Sequence, residues 1–242
     1  GQVAAEAIKQ LKSLSQQEAP FFLAVGFFKP HLPFNAPKTY WDLYDDTPID
    51  VPDNYSIPEN APKEAIHNFG ELRNYAGVPN KGPVSDQMAK TLIRGYYASV
   101  SFTDAQVGRV LEELEQSGLS ENTIVILWGD HGWNLGEHSL WAKHCTFENS
   151  MRVPLIIRTP QSESAPQGQT TNTLTEFIDI YPTLCELAGI DAPKHLDGQS
   201  LAPVLKDPDS TGKGYAIGRF SNGDTIRSNR WRYTEYTTKE DR

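Results

Sequence analysis

The sequence has few cysteines and no long apolar run, and both shortages narrow the class of protein. Its two cysteines, Cys145 and Cys185, lie far apart and show no C-x-x-C spacing, so neither a disulfide framework nor a zinc site of that type is indicated. We predict two free or semi-buried thiols. The longest apolar run, residues 21–28, has the length of a strand and falls well short of the ~20 residues of a membrane span.

Positive charge is also scarce. The formal net charge is −9, from 22 Lys and Arg against 31 Asp and Glu. A general nucleic-acid-binding protein needs a basic stripe, so nucleic acid is not an expected partner. An anionic small substrate remains compatible, because a metal ion and a few cations in a pocket outweigh a distant acidic surface. With 242 residues, the chain is long enough for a sizeable globular core.

The N-terminus carries no secretory signal peptide. The chain begins at Gly1 and runs straight into an amphipathic helical pattern over residues 3–15. We expect the sequence to be a piece of a longer protein, and the missing signal therefore says little about the compartment.

Apolar runs of strand length alternate with helical patterns along most of the chain. The runs cover residues 21–28, 123–128 and 153–158, and helical patterns follow Ser85, span 107–114 and cover 176–188. Continuous apolar strands between helices are typical of a parallel sheet buried on both faces. We therefore predict an α/β fold over residues 1–205, with a mixed, largely parallel sheet sandwiched by helices.

Two other regions depart from this pattern. From residue 206 onward, short strand-like stretches and an Asn222-Gly223 hairpin signal predict a smaller antiparallel subdomain over residues 206–242. Residues 35–84 are rich in Pro, Asn and Asp and weakly periodic, which predicts a long surface loop. Because such loops are usually functional, we expect this one to shape the substrate entrance.

The most specific chemical motif is Gly129-Asp130-His131-Gly132, directly after the apolar run that ends at Trp128. Ligands in open α/β sheets bind beyond the carboxyl ends of strands, and a carboxylate beside an imidazole suits a metal ion there. A turn with a capping aspartate is the alternative interpretation of the same four residues.

A second polar segment follows at residues 137–144. Lys143 is a compact cation suited to an anionic oxygen, and His138 and His144 are able to donate hydrogen bonds or protonate a leaving group. The alternative is a solvated loop. His31, between two prolines in Lys29-Pro30-His31-Leu32-Pro33, also follows an apolar run; a rigidly held donor and a simple surface turn are both compatible with it.

Four segments, in order along nearly the whole chain, together resemble a sulfatase of the iduronate-2-sulfatase-like branch of the alkaline-phosphatase-like superfamily. They are PFFLAVGFFKPHLPF (20–34), YYASVSFTDAQVGRVLEEL (96–114), WGDHGWNLGEHSLWAKHCTFENSMRVPLI (128–156) and EFIDIYPTLCELAGI (176–190).

This resemblance implies roles for individual residues. Asp130 and His131 match the second half of the family's site for one calcium ion. Lys143 matches the lysine that contacts the sulfate, and His31 matches the substrate-contacting histidine of the "KPH" motif, so both are expected to be catalytic and substrate-binding. His138 of the "GEH" motif is expected to support substrate binding. We expect His31, Lys143, Asp130 and His131 to converge at the carboxyl edge of one sheet.

The family's nucleophile is absent from these residues. It is a formylglycine made from the cysteine of C-x-P-x-R, and neither Cys145 nor Cys185 stands in that motif. The resemblance implies a sulfuric ester hydrolase acting on a sulfated sugar or polysaccharide, periplasmic or secreted, with the nucleophile supplied from an N-terminal part. Two alternatives stay open, namely a phosphatase or phosphodiesterase of the same superfamily and a non-catalytic sulfatase-like binding module.

Overall fold

The structure, a computed structural model, describes residues 1–67, 70–160 and 168–237. Its contacts divide the chain into two compact units, one of Gly1–Thr123 with Trp133–Lys143 and the other of Ile124–Gly132 with His144–Arg242. The predicted division at residue 206 stays a prediction.

The first unit is built on two helices, α1 (Gln2–Leu14) and α4 (Asp86–Gln116), which pack against each other. In α1 the buried side chains are Ala4, Ala7 and Leu11, at the three- and four-residue spacing of one helical face. Ser85 caps α4 by accepting a hydrogen bond from the Met88 amide. The two helical stretches predicted after Ser85 therefore form one continuous helix of 31 residues.

Residues 21–28 have no regular secondary structure and pair with no other strand in the described part of the chain, so the predicted strand is not formed there. Their side chains alternate between half-buried and exposed, and Phe22 is 81% exposed. Apolar character favours an extended run, but a strand also needs a neighbouring backbone that completes its hydrogen bonds.

The predicted surface loop, residues 35–84, contains two short helices, α2 (Lys38–Asp42) and α3 (Gly70–Arg73), and a 3₁₀ turn at Lys63–Ala65. It also contributes to the core, which corrects the prediction. One cluster of buried core side chains in the first unit consists of Leu32, Phe34, Leu72, Val84, Ala89, Ile93 and Trp141. Leu72 and Val84 come from the loop, and their wide spacing is the reason that periodicity did not reveal them.

A short antiparallel hairpin follows in the first unit, between β2 (Asn134–Leu135) and β3 (Trp141–Ala142). The side-chain amide of the fully buried Asn134 donates to the Ala142 carbonyl at 2.8 Å. This bond holds together the two ends of the loop that leads to Lys143.

In the second unit, β1 (Val125–Trp128) pairs with β4 (Leu155–Arg158). Both strands lie where the sequence predicts them, and the α/β class is confirmed. The pairing is antiparallel, however, with Val125 opposite Arg158, and all strand pairs in the described ranges run antiparallel. The predicted parallel pairing is therefore not found there, because a continuous apolar run indicates burial on both faces and not strand direction.

The remaining elements of the second unit are α5 (Glu148–Met151), α6 (Ile180–Leu187), α7 (Ala202–Lys206), β5 (Tyr215–Phe220), β6 (Gly223–Ser228) and β7 (Arg232–Tyr236). Strands β5, β6 and β7 form the predicted antiparallel sheet, with Gly223 in the first hairpin. Cys145 and Cys185 are both buried and are not joined in a disulfide, as predicted. Within the described ranges, none of the helices combines the length and apolar character of a membrane span.

Candidate functional site

The first unit brings together His31 and Lys143, which are 112 residues apart in sequence. Lys143 Nζ lies 2.6 Å from His31 Nε2. His31 follows the apolar segment 21–28, and Lys143 directly follows β3, so the position of each side chain depends on a separate part of the unit. The expectation that these two residues meet agrees with the structure, while their role toward sulfate stays a prediction.

A third residue, Glu71 of α3, joins them. Lys143 Nζ donates to both carboxylate oxygens of Glu71, at 2.9 and 3.0 Å, and His31 Nε2 lies 2.9 Å from Oε1. The side chains of Lys143, Glu71 and His31 are 18%, 20% and 25% exposed, so the cluster is largely shielded from water. Glu71 is not among the residues predicted from the sequence, because it lies in the weakly periodic segment where no motif marks it.

The His31 ring is oriented by its own backbone. Its Nδ1 lies 2.8 Å from the Leu32 carbonyl, and because a carbonyl only accepts, Nδ1 carries the proton and donates. Nε2 is thereby directed toward Lys143 and Glu71. The peptide bonds that precede Pro30 and Pro33 are both cis.

Trp133 forms an aromatic wall beside the cluster. Its ring centroid is 5.2 Å from that of His31, and Lys143 Nζ lies 5.1 Å from the Trp133 ring, within cation–π distance. Phe34 and Tyr96 pack on the other parts of the same indole. An apolar wall lowers the local dielectric and strengthens the electrostatic interactions of Lys143 with an anion.

Asp130 and His131 lie in the second unit, in the loop that leaves β1. Two backbone bonds hold this loop, from the Gly129 amide to the Pro154 carbonyl at 3.2 Å and from the Gly132 amide to the Ser150 carbonyl at 2.8 Å. The Asp130 side chain is 87% exposed. The position just beyond a strand is the one that the sequence predicts; the convergence of this pair with His31 and Lys143 stays a prediction.

The donor atoms of this pair fit two ligands of one metal ion. His131 Nδ1 lies 2.9 Å from the Gly132 carbonyl and so carries the proton, which leaves the lone pair of the neutral ring on Nε2. Nε2 lies 3.7 Å from Asp130 Oδ2. Across the described ranges no group of three or more candidate ligands occurs, so the pair accounts for part of a coordination shell only.

The two histidines of the segment 137–144 are placed differently. His138 lies in a 3₁₀ turn of the first unit with a left-handed backbone (φ 58°), and its amide donates to the Asn54 carbonyl at 2.7 Å. Gly136 precedes it at φ +114°, where a Cβ would come within 2.5 Å of the Tyr55 ring. His144 belongs to the second unit, where its ring stacks on Phe220 with centroids 5.5 Å apart. The supporting role of His138 stays a prediction.

Comparison with known proteins gives one consistent result. The family model described as "Sulfatase" matches residues 1–190. The chain is 35% identical over 216 residues to iduronate 2-sulfatase of Mus musculus, covering 78% of this chain and 39% of that protein. It is 34% identical over 223 residues to a sulfatase of Formosa agariphila, covering 90% and 42%. The chain thus spans about two-fifths of the length of these curated relatives.

Solved structures extend the likeness to the fold. The phosphonate monoester hydrolase SpPMH of Silicibacter pomeroyi superposes with a TM-score of 0.77 at 25% identity, covering 96% of this chain and 51% of that chain. Two further solved structures superpose with TM-scores of 0.77 and 0.79. These superpositions assign the chain to the alkaline-phosphatase-like fold.

Proposed function

Since this chain belongs to the sulfatase family, we propose that it forms the sulfate-contacting part of a sulfuric ester hydrolase whose formylglycine nucleophile is supplied from outside these 242 residues. The observation that carries the proposal is the contact between Lys143 and His31, with Nζ and Nε2 2.6 Å apart. Two polar groups at this separation are able to face the same sulfate oxygen or two neighbouring ones.

The chemistry of the reaction fits this pair. A sulfate ester carries one negative charge spread over its oxygens, and further charge collects on the leaving oxygen as the S–O bond breaks. A lysine held against those oxygens stabilises this charge without having to reorganise, and the Trp133 wall keeps its interactions strong. His31 offers a second donor once its Nε2 also carries a proton, and a histidine in that form is the suitable acid to protonate the departing sugar hydroxyl.

Asp130 and His131 would hold one calcium ion, through a carboxylate oxygen and Nε2. When bound, a divalent ion supplies Lewis-acid polarisation of a sulfate oxygen. Calcium prefers oxygen ligands, and imidazole suits zinc or manganese better. The choice of calcium therefore rests on the family resemblance, while the orientation of His131 by the Gly132 carbonyl supports metal binding in general.

A sulfated sugar or polysaccharide is the proposed substrate. The support is the 35% identity to a protein named iduronate 2-sulfatase. By the same resemblance, the parent protein is proposed to be periplasmic or secreted, and His138 to assist in holding the substrate.

A phosphonate or phosphate ester is the competing substrate class. The superposition on a phosphonate monoester hydrolase, at a TM-score of 0.77, favours it. Members of the superfamily that bind two metal ions are expected to use a further histidine ligand downstream. His195 is the one histidine after residue 144, so it alone would have to supply this ligand. Measuring turnover of matched aryl sulfate and aryl phosphonate esters separates the two classes.

Replacing Lys143 by Ala in the complete parent enzyme tests the proposal. Loss of one donor to the developing charge is expected to lower kcat by ~10²–10³-fold. Lys143→Arg should rescue poorly, because the guanidinium keeps the charge but is larger and planar. Steady-state kinetics on an aryl sulfate, with melting curves to confirm folding, give the measurement.

Lys63→Ala is the matched control, since it removes the same charge from a side chain that is 92% exposed. This control should keep normal turnover and change stability by less than about 0.5 kcal/mol. Near-normal turnover in Lys143→Ala would remove Lys143 from the site and with it the main support for the proposal.

A further inference from the structure

Glu71 places an anion on the two residues that are proposed to bind sulfate. Both of its carboxylate oxygens accept from Lys143 Nζ, and Oε1 also contacts His31 Nε2. A carboxylate and a sulfate both offer negatively charged oxygens about a bond length from a central atom. The carboxylate of Glu71 thus makes the contacts that the substrate would make.

The donors of Lys143 are fully used in this arrangement. An ammonium group has three N–H donors and no acceptor. Its contacts are Glu71 Oε1, Glu71 Oε2 and His31 Nε2, at 2.9, 3.0 and 2.6 Å. A sulfate oxygen therefore gains a hydrogen bond from Lys143 only when Glu71 releases one.

Charge leads to the same conclusion. The Glu71 carboxylate would lie beside the bound sulfate in a site that is about four-fifths shielded from water, and two like charges there repel each other. Without an anion, the Lys143 ammonium would lie in this shielded site with no counter-charge. The Glu71 carboxylate supplies this counter-charge in the empty site, but it repels the sulfate group when the substrate is bound.

The position of Glu71 allows its side chain to leave. It stands on α3, a helix of only four residues, and a glutamate side chain has three rotatable bonds. The neighbouring Leu72 is 1% exposed in the core and anchors the backbone of α3. Rotation of the Glu71 side chain is therefore sufficient, and no rearrangement of the core is required.

We propose that Glu71 is an internal counter-ion that occupies the sulfate position of the empty site and that the substrate displaces. This inference rests on the proposed function, because it takes Lys143 and His31 as the sulfate contacts. It assigns to residues 35–84 a direct role in substrate affinity. Anion binding is weaker than Lys143 alone would allow, and the released site is selective for ligands able to compete with a tethered carboxylate.

Titration of inorganic sulfate into the complete parent enzyme tests the inference by calorimetry, with sodium chloride keeping the ionic strength constant. Glu71→Gln keeps the size of the side chain and removes the charge, so we expect sulfate to bind at least about tenfold more tightly. Glu64→Gln is the matched control, because Glu64 lies on the same segment and contacts the exposed Lys63. It should leave sulfate affinity unchanged.

A Lys143→Ala arm distinguishes failure of the inference from failure of the proposed function. We expect Lys143→Ala to weaken sulfate binding and to abolish the effect of a second change at Glu71. Unchanged or weaker sulfate binding in Glu71→Gln, with Lys143 still required, overturns the inference and leaves the proposed function intact. Sulfate binding that does not depend on Lys143 overturns both.

If Glu71→Gln does not fold, Glu71→Asp replaces it, since the aspartate side chain is one methylene shorter and holds its carboxylate farther from Lys143. Tighter sulfate binding in Glu71→Asp supports the inference, and unchanged binding overturns it.

Discussion

Gly132, directly after His131, is required by a close approach of two backbones. A Cβ on Gly132 would come within 1.9 Å of the Asn149 carbonyl oxygen and 3.0 Å of the Arg152 carbonyl oxygen. The Gly132 amide also donates to the Ser150 carbonyl at 2.8 Å. The close contact with the segment at α5 is the physical reason that a glycine stands at this position. A side chain here would push the Asp130–His131 loop away from its support.

Gly132→Ala is therefore expected to lower the free energy of unfolding by about 3 kcal/mol or more, because backbone atoms cannot yield as a flexible side chain does. Gly108→Ala is the matched control. Gly108 is exposed in the middle of α4 with no atom within 4 Å of an added methyl, and alanine there should be neutral or stabilise by up to about 1 kcal/mol. Urea unfolding midpoints of both variants give the comparison; equal midpoints would mean that the Gly132 contact is relaxed in solution.

A buried ionic cluster fixes the beginning of α6. Asp179 accepts from the Gln199 amide and from the Glu176 amide, both at 2.8 Å, and Lys213 Nζ lies 2.6 Å from its carboxylate. The side chains of Lys213 and Asp179 are 6% and 1% exposed. Burial alone would lower the pKa of Lys213, but hydrogen bonds and charge from Asp179 and Glu176 raise this pKa above its ordinary value. The cluster ties α6 to the segments on either side of α7.

Lys213→Met should destabilise the protein by roughly 3–5 kcal/mol, because it leaves the buried Asp179 and the largely buried Glu176 carboxylates without a cation. The pH dependence follows from the raised pKa of Lys213. A raised folded-state pKa gives stability that is fully present below the unfolded value, about 10.4, and is lost as pH rises through the folded value. The difference between wild type and variant in denaturant unfolding should thus be constant near neutral pH and shrink above about pH 10.5. A difference that persists unchanged to pH 12 would contradict this account of the cluster.

At the scale of the whole molecule, the chain holds only part of the proposed chemistry. Neither cysteine stands in C-x-P-x-R, and across the described residues Asp130 and His131 are not joined by a third candidate ligand into a metal cluster. Calcium needs six to eight oxygen ligands, and this pair offers one carboxylate. The two residues proposed to contact sulfate, Lys143 and His31, nevertheless lie together within the first unit, and Glu71 contacts both.

The isolated chain is therefore expected to bind calcium weakly and to hydrolyse no sulfate ester. Calcium at a concentration equal to its Kd stabilises by about 0.4 kcal/mol, which raises Tm by only about 1 °C in a protein of this size. Melting curves with and without millimolar calcium, beside an assay on a chromogenic aryl sulfate, check both expectations. Clear hydrolysis by the pure chain would mean that the nucleophile lies within these 242 residues.

The sequence by itself determined the features that depend on neighbouring residues. Helices α1 and α4, the strands at residues 125–128 and 155–158 and the C-terminal antiparallel sheet lie where periodicity, the Ser85 cap and the Asn222-Gly223 turn predict them. Local signals suffice for these elements, because helical hydrogen bonds and turn geometry involve residues that are close in sequence. The motifs around Asp130 and Lys143 likewise identified the family from the residues alone.

Only the tertiary structure decided which distant segments meet. The partner and direction of β1, the unpaired state of residues 21–28 and the burial of Leu72 and Val84 each depend on packing against chain far away in sequence. Glu71 is the clearest case, since it contacts Lys143 from 72 residues away and has no motif of its own. A single carboxylate carries no periodic signal, and it becomes part of a site only when folding places a cation beside it.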